Sequence, residues 1–273
     1  MLQNTEIIES QEIIGVSGSS GHIGSHLFNK YTSFGTPVIR LDREGNVPQE
    51  VTKVFNLAAY GNKYTQIDKY EIYKANVDMV KKLLENSKGK TVVLTSTSSV
   101  LLPIQTDYSK SKQMMEDYVK EWVTMTDENV IIARPSTVVG IGEDPNRLIP
   151  KLINSCLTDE PMDFIGEPIH DFIDVQDFIE GMIFLSNQAS RYKGQVFNVS
   201  FGISVSNELI KGIVEEITGK KANINRVESL RNYDTKDWKV PSYKLRALGW
   251  RPKKDVFVTI EEMVNEYKLK NVK

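Results

Sequence analysis

The stretch that decides the fold spans residues 14–27 and consists of Ile14-Gly15-Val16-Ser17-Gly18-Ser19-Ser20-Gly21-His22-Ile23-Gly24-Ser25-His26-Leu27. Three glycines, each three positions apart, follow a short apolar run and open an amphipathic segment with helical spacing. Glycine permits a tight turn and lets the backbone approach a pyrophosphate closely, and a helix N-terminus offers that anion free N–H groups. The flanks therefore predict a dinucleotide-binding turn. Its predicted cofactor contacts are Gly18, Ser20, Gly21, His22, Ile23 and Gly24.

The next apolar run supplies a second element of such a site. It ends at Asp42, which follows Gly24 by 18 residues, close to the ~20 expected for a ribose-binding carboxylate. A carboxylate there accepts hydrogen bonds from the adenosine ribose and repels a 2′-phosphate, which favours NAD. The neighbouring Arg43 leaves NADP open, because a guanidinium can hold that phosphate.

Apolar runs alternate with helix-length amphipathic segments in the first half of the chain. The predicted strands are Glu12–Val16, Pro37–Leu41, Lys53–Leu57, Thr91–Thr95 and Val130–Ala133. The predicted helices lie near His22–Tyr31, Tyr70–Asn86 and Lys110–Thr126. Continuously apolar strands are typical of a sheet covered on both faces. Their alternation with helices predicts an α/β fold of Rossmann type with a doubly wound parallel sheet.

The alternation loosens after about Gly140. Two proline-bearing stretches follow, Gly142–Pro150 and Pro161–Pro168. Further elements are predicted as a strand at Gln195–Val199 and helices at Val175–Ser186, Asn207–Gly219 and Thr259–Lys268. We therefore expect a Rossmann domain over residues 1–140, and over residues 141–273 a smaller α/β cap that binds substrate and is interleaved with it.

The bulk composition excludes several classes of protein. The chain has 273 residues, a net charge of −2 and 26% charged residues, which gives no electrostatic reason to expect nucleic acid or an anionic membrane as partner. A single cysteine, Cys156, rules out an intrachain disulfide, and with only three histidines no metal site is expected. No run approaches the ~18 apolar residues that span a bilayer, and no secretory leader is apparent, so a cytoplasmic protein is expected.

A candidate catalytic pair lies further along the chain. Tyr108 and Lys112 stand four apart at a predicted helix start, so both side chains project from one face. A phenol with a pKa of about 10 is a poor base, and a nearby ammonium should lower that pKa toward the working range. The hydroxyl cluster Thr95-Ser96-Thr97-Ser98-Ser99 follows the preceding strand, at the edge where doubly wound sheets bind ligands.

Taken together, these features resemble the NAD-dependent epimerase/dehydratase family, the extended branch of the short-chain dehydrogenases, to which UDP-galactose 4-epimerase belongs. Further landmarks occur in the family's order: Asn56-Leu57-Ala58-Ala59, Asn76-Val77, Arg134-Pro135, His170-Asp171-Phe172-Ile173-Asp174-Val175-Gln176-Asp177, Arg231-Asn232-Tyr233-Asp234 and Leu248-Gly249-Trp250-Arg251-Pro252. The resemblance implies cofactor contacts at Leu57, Ala58, Ala59, Asn76, Tyr108, Lys112 and Pro135. It implies substrate contacts at Thr97, Ser98, Thr137, His170 and Arg231.

The resemblance also implies a reaction on a nucleotide-linked sugar. Tyr108 would remove the proton of a sugar hydroxyl, usually at C4, while Thr97 holds that oxygen and Lys112 orients the cofactor. The hydride would pass to the nicotinamide, and the 4-keto sugar would be re-reduced on its other face or released. By this comparison the chain is an NAD-dependent epimerase.

Three departures from the family pattern bear on this reaction. Thr97 and Tyr108 are only 11 residues apart, so a loop of the pocket is shortened. Ser98-Ser99 stands where 4,6-dehydratases have Asp-Glu, which argues against that activity. His170 replaces an arginine and Thr137 an asparagine, so the nucleotide is left open.

Two alternatives to the epimerase follow from these features. The first is an NAD(P)H-dependent 4-keto-sugar reductase, which the compact pocket and Arg43 fit. The second is a dinucleotide-binding module without catalysis. The resemblance further implies a homodimer, formed by the helices near Tyr70–Asn86 and Lys110–Thr126.

Overall fold

The computed structural model describes residues 12–63, 65–228 and 238–271. The strands within these ranges are β1 (Ile14–Ser17), β2 (Val38–Arg40), β3 (Lys53–Asn56), β4 (Thr91–Thr95), β5 (Val130–Pro135), β6 (Thr137–Val139), β7 (Met162–Phe164), β8 (Ile169–Asp174), β9 (Val196–Val199), β10 (Ser204–Ser206) and β11 (Ile224–Arg226). The α-helices are α1 (His22–Ser33), α2 (Lys69–Tyr73), α3 (Met79–Glu85), α4 (Asp107–Thr126), α5 (Leu148–Thr158), α6 (Val175–Ser186), α7 (Asn207–Thr218), α8 (Tyr243–Ala247) and α9 (Val256–Asn271).

Six strands form the central sheet in the order β2-β1-β3-β4-β5-β9, and every pair is parallel. Helices α1 and α6 cover one face, where Leu27 and Phe178 are fully buried. Helices α3 and α4 cover the other face with Leu84, Met115 and Val119. Both faces of the sheet are therefore inside the protein, which explains the continuously apolar strands. This is the Rossmann-type fold that the sequence predicts.

The remaining strands form two small sheets in the C-terminal half. Strand β8 pairs in parallel with β6 and antiparallel with β10, and β7 pairs in parallel with β11. Helices α5, α7 and α9 surround a separate apolar core that contains Leu152, Phe164 and Ile210. The thiol of Cys156 is buried in the same core. This smaller α/β part contributes β9 to the central sheet, so the chain passes back into the sheet after leaving it.

The structure differs from the predicted elements at one helix of the first half and in much of the second half, where β6, β7, β8, β10, β11, α5 and α8 were not predicted. The helix predicted over Tyr70–Asn86 is interrupted between α2 and α3 by a π-helical segment, Lys74–Asp78. Helix α5 begins inside a stretch that the sequence suggests only as proline-bearing. Pro150 is its third residue, and a proline is tolerated in the first turn because that N–H has no partner within the helix. Within the described ranges no helix has both the length and the apolar character to cross a bilayer.

Candidate active site

The glycine-rich turn between β1 and α1 leaves no room for a side chain at two of its glycines. Gly18 has a φ of +68°, and a Cβ there would lie 2.6 Å from the backbone nitrogen of Ala58. A Cβ on Gly24 would collide with the carbonyl oxygen of Gly18. Both positions therefore require glycine. Ser20 and Gly21 are exposed at the open rim, and α1 begins directly after Gly21, so its first N–H groups are available to an anion.

The histidine side chains of α1 bind the segment that follows β6. The Nε2 atoms of His22 and His26 lie 3.1 Å and 2.7 Å from the carbonyl oxygen of Ile141. Burial, together with the charges of His26 and Arg147, lowers the pKa of His22 to about 4, although the hydrogen bond to Ile141 acts in the opposite direction. His22 is therefore neutral near neutral pH. Its side chain holds the turn against the next part of the chain, and Ile23 beside it is half-buried.

Asp42 lies two residues after β2 and is exposed, as is Arg43. The Asp42 carboxylate accepts hydrogen bonds from the backbone N–H of Glu44 at 2.8 Å and from the side chain of Asn46 at 2.8 Å. The side-chain hydrogen bond from Asn46 is the main reason that the pKa of Asp42 lies below its usual value. A negative charge therefore stands beside the end of β2.

Arg40 is a neighbour of the turn that sequence reasoning missed. Its guanidinium donates to the carbonyl oxygen of Ser19 at 3.1 Å and stacks at 3.9 Å on the ring of Phe28. The position of Arg40 in an apolar strand does not indicate its contact with the turn, because that contact depends on the direction in which the side chain extends. The turn therefore has a cation and a carboxylate nearby.

The segment after β3 borders the turn. The Leu57 N–H donates to the Ser17 carbonyl at 3.2 Å, and the Ala58 N–H donates to the Ser17 hydroxyl at 3.4 Å. That hydroxyl donates in turn to Asn56. Leu57 and Ala58 are half-buried and Ala59 is exposed. The predicted contacts at 57–59 and in the turn thus lie beyond the carboxyl ends of two neighbouring strands, β3 and β1.

Thr97 and Tyr108 are brought together by the short loop between β4 and α4. Tyr108 stands in the first turn of α4, whose N-cap Thr106 forms a reciprocal capping box with Ser109. The Thr97 hydroxyl lies close enough to the Tyr108 side chain to lower its pKa, and it is 3.0 Å from the Ser99 hydroxyl. Ser98 is buried at the start of the intervening turn. The 11-residue separation is therefore compatible with contact between the two predicted catalytic residues.

Lys112 is buried on the same face of α4. Its ammonium donates to the carbonyl oxygen of Thr95 at 2.9 Å. Burial lowers the pKa of Lys112 to about 8, although the charge of Glu116 acts in the opposite direction. Lys112 is thus a cation near neutral pH that loses its proton in mildly alkaline solution.

The expectation that Lys112 lowers the pKa of Tyr108 is not met in this structure. Burial raises the pKa of Tyr108 to about 12, and the groups that oppose this rise are the charge of Arg147 and the hydrogen bond from Thr97. The cost of desolvating a phenolate outweighs both. Tyr108 therefore keeps its proton near neutral pH.

Arg147 and Glu143 are further groups at this site that sequence reasoning missed. Arg147 is the N-cap of α5, and its charge acts on Tyr108, His22 and Glu143. Burial raises the pKa of Glu143 to about 8. An ion pair of 2.8 Å between Asp144 and Lys63 ties their segment to the loop after β3. The sequence of residues 140–147 does not indicate that they belong to the site, because only tertiary packing brings them there.

Asn76 lies in the π-helical segment with its side chain fully buried. Its amide nitrogen donates to the Tyr60 carbonyl at 2.8 Å and to the Ser111 hydroxyl at 2.9 Å, and its oxygen accepts from the Tyr60 N–H at 3.1 Å. Ser111 donates to the Tyr108 carbonyl at 2.7 Å. The amide therefore connects the loop after β3 to the first turn of α4. Pro135 is buried at the end of β5.

The predicted substrate residues beyond Thr97 and Ser98 lie in the C-terminal half. Thr137 on β6 pairs with Phe172 on β8, and His170 precedes Phe172 by two positions on the same strand. The His170 ring lies 5.2 Å from the Trp238 ring. Thr137 and His170 thus share the three-stranded sheet. Arg231 lies outside the described residues.

Known proteins share both the sequence pattern and the architecture. A model of the NAD dependent epimerase/dehydratase family matches residues 14–200. CDP-abequose synthase of Salmonella typhimurium is 24% identical, over 93% of this chain and 98% of that protein. MoeE5, solved with UDP-glucuronic acid and NAD, has a TM-score of 0.84 at 21% identity, over 94% of this chain and 99% of that chain. A tyrosine-to-phenylalanine mutant of UDP-glucuronic acid 4-epimerase from Bacillus cereus, solved with NAD and a fluorinated UDP-sugar, has a TM-score of 0.83 at 22% identity, over 94% and 99% of the two chains.

Other matches are shorter. The chain spans about half the length of the first curated relatives that it matches, among them mammalian dTDP-D-glucose 4,6-dehydratases at 28% identity over 54% of this chain and 43% of those proteins. The family model, by contrast, covers most of the chain, from the glycine-rich turn to the end of the central sheet. The chain belongs to the NAD dependent epimerase/dehydratase family.

Proposed function

We propose that this protein is an NAD-dependent 4-epimerase of a nucleotide-linked sugar. The observation that carries the proposal is the contact between Thr97 and Tyr108, with Lys112 buried one helical turn further on. These residues lie at the carboxyl end of β4, the edge at which parallel sheets bind ligands, as does the glycine-rich turn after β1. Relatives of similar fold bind UDP-sugars together with NAD.

The residues present fit a dinucleotide. The turn at Gly18 and Gly24 admits no side chain, and the first N–H groups of α1 would hold the pyrophosphate. Asp42 would accept hydrogen bonds from the adenosine ribose, and Leu57 and Ala58 would flank the cofactor beyond the turn. When bound, NAD supplies the acceptor and donor of a hydride at its nicotinamide ring.

The chain's own residues would handle the proton and the oxygen of the sugar. Tyr108 would take the proton from the C4 hydroxyl as that carbon is oxidised, and return it when the keto group is reduced on the other face. Thr97 would hold the same oxygen through its hydroxyl. Lys112 would favour the phenolate form of Tyr108 once the site is filled, since a cation opposes the rise in the pKa of Tyr108 that burial causes.

A 4-keto-sugar reductase that consumes NADPH is a second candidate. It is favoured by the guanidinium of Arg40, which reaches the glycine-rich turn, and by Arg43, which is exposed beside Asp42 after β2, since a guanidinium could hold a 2′-phosphate. A 4,6-dehydratase is disfavoured on chemical grounds. Elimination of water needs an acid and a base, and Ser98 and Ser99 provide only hydroxyls at the positions after Thr97.

The identity of the cofactor separates the two candidates. The test is mass spectrometry of the small molecules released from freshly purified, denatured protein. Stoichiometric NAD supports the epimerase, and a panel of UDP-sugars, beginning with UDP-glucose and UDP-glucuronic acid, would then be assayed for C4 inversion. Protein that is empty or carries NADP would contradict a cofactor retained through each turnover and support the reductase, assayed as NADPH oxidation by 4-keto sugars.

We further propose that residues 141–273 mainly bind the sugar nucleotide, that His170 in this part and Thr137 on β6 lie near the nucleotide or its phosphates, and that the protein is a homodimer. The dimer is supported by exposed apolar side chains just before α2, on α2 and on α4: Ile67, Tyr70 and Met114 are 82%, 71% and 50% exposed. Pairing these helices between two subunits would cover them.

A further inference from the structure

A buried ion pair lies directly behind the catalytic helix. Glu116 is fully buried on α4, one helical turn after Lys112. Arg134 on β5 binds both of its carboxylate oxygens, with Nε 2.6 Å from Oε1 and Nη2 bound to Oε2. The Ser96 hydroxyl at the end of β4 donates to Oε1 at 2.5 Å. One carboxylate thus receives three hydrogen bonds from two neighbouring strands.

Stability alone does not account for this pair. Removing two charges from water costs several kcal/mol for each ion, and a well-packed apolar pair of the same volume is often as stable or more so. The surroundings would suit such a replacement, because Met115 and Val119 beside Glu116 on α4 belong to the apolar core. A buried pair in this position is therefore better explained by its effect on a neighbouring group.

The neighbouring group is the ammonium of Lys112. On its own helix Lys112 is near Tyr108 and Glu116, and the strands packed against that helix present the Thr95 carbonyl, the Ser96 hydroxyl and the Arg134 guanidinium. Its one hydrogen bond of those described goes to an uncharged carbonyl. Glu116 is the carboxylate whose charge opposes the effect of burial on Lys112.

We propose that Glu116 is a positioning residue that keeps Lys112 charged beside Tyr108, and that Arg134 sets the strength of this effect by neutralising part of the carboxylate's charge. The proposed role in catalysis rests on the proposed function, but the electrostatic coupling between the three side chains does not. In an enzyme that needs an ammonium at Lys112, the pair would extend activity to higher pH.

The two partners should have opposite effects on Lys112. In Glu116→Gln the negative charge is lost and the positive charge of Arg134 remains, so the pKa of Lys112 should fall, by about one pH unit or more. In Arg134→Gln the carboxylate is no longer neutralised, so the pKa of Lys112 should rise. A residue with a purely structural role would not produce shifts of opposite sign.

The test is a titration of Lys112 by NMR, in full-length protein containing lysine labelled with carbon-13 at its ε position. The Lys112 signal is identified as the one missing from Lys112→Arg. The control is Glu121→Gln, which makes the same change at an exposed position of α4 and should leave the titration unchanged. Because either single variant could fail to fold, the double variant Glu116→Gln/Arg134→Gln is titrated as well. The pKa of Lys112 in it should lie between those of the two single variants and below that of the wild type, because the charge that Arg134 only partly neutralises is lost.

Each outcome decides between the hypotheses. Shifts of opposite sign, or a downward shift in the double variant, support the proposal even if no UDP-sugar is turned over, in which case the proposed function fails alone. A double variant that titrates like the wild type overturns it. A Lys112 titration that is the same in Glu116→Gln and wild type overturns the proposal, whatever the activity. If the enzyme is active, the alkaline limb of its pH–rate profile should move in the same direction as the Lys112 titration.

Discussion

Tyr108 is a phenol held in its protonated form by burial, next to a hydroxyl, a buried ammonium and a guanidinium. With a pKa of about 12 it would rarely be ionised at neutral pH in the protein without ligands. Thr97, Lys112 and Arg147 all surround the same end of α4, so the site holds groups that can favour the phenolate when water is displaced. Tyr108 thus keeps its proton near neutral pH until bound substrate and cofactor displace water, and only then do these groups favour the phenolate that oxidation at C4 needs.

The change Tyr108→Phe should lower turnover by on the order of 100-fold or more, as expected for the loss of a general acid and base. Stability should change by no more than about 1 kcal/mol, the size of one lost polar contact, because only the hydroxyl beside Thr97 is removed. The measurement compares initial rates and NAD binding in this variant and in Tyr118→Phe, a half-buried tyrosine on the same helix. Unchanged biological function in Tyr108→Phe would instead support the non-catalytic module.

Glu143 predicts a pH-dependent effect on stability. Its pKa is raised from 4.5 to about 8, so between these values the folded protein binds more protons than the unfolded chain, and stability falls as pH rises through that window. The substitution Glu143→Gln should abolish this fall in stability with rising pH, because glutamine does not ionise. The variant should be more stable than wild type by roughly 1–3 kcal/mol at about pH 8 and nearly equal at about pH 4.

Urea unfolding at both pH values, with the exposed Glu121→Gln as control, measures this difference. A Glu143→Gln variant that is less stable than wild type at the higher pH would show that the carboxylate is needed for the fold.

At the scale of the element, the turn between β1 and α1 depends on close approach of backbone atoms. Gly18→Ala places a methyl group 2.6 Å from the Ala58 nitrogen in addition to the strain of a φ of +68°. Gly35→Ala is the matched control, since Gly35 has a φ of +72° with open space around its Cβ position. We expect Gly35→Ala to cost about 1 kcal/mol and Gly18→Ala clearly more.

Gly18→Ala should also weaken NAD binding at least about tenfold, because the backbone must shift where the pyrophosphate would lie. Urea unfolding and titration with NAD measure the two effects. If Gly18→Ala and Gly35→Ala lowered the free energy of unfolding equally, the strain of a positive φ, and not the contact with Ala58, would explain the cost of replacing Gly18.

Features that depend on residues close together in the chain could be predicted from the sequence. The glycine-rich turn, the alternation of strands and helices, and the pair Tyr108 and Lys112 depend on near neighbours in the chain, so their spacing is visible. Arg147 and Arg40 could not be predicted as part of the site, since only packing brings one beside Tyr108 and directs the other to the turn. The prediction of a lowered pKa for Tyr108 was wrong for the same reason, because burial is a tertiary property.

At the scale of the whole molecule, the exposed apolar surface on α2 and α4 predicts association. Tyr70→Glu should shift the proposed dimer toward monomer, because a charge would be buried between subunits without a partner. Phe34→Glu is the control: Phe34 is 72% exposed at the end of α1, on the opposite face of the central sheet. Light scattering at micromolar concentration measures the mass, and a wild-type protein that is already monomeric would contradict the dimer.

The position of β9 in the central sheet has a consequence for synthesis on the ribosome. Strand β5 is complete at Pro135, but its second neighbour, β9, is made of residues 196–199 and arrives some sixty residues later. Until then the nascent sheet has an unpaired apolar edge, the kind of surface to which other chains add strands. A fragment that ends near residue 140 would keep that edge permanently. The first half of this protein is therefore poorly suited to exist alone, and the chain must be synthesised well past its midpoint before its nucleotide-binding half is protected from aggregation.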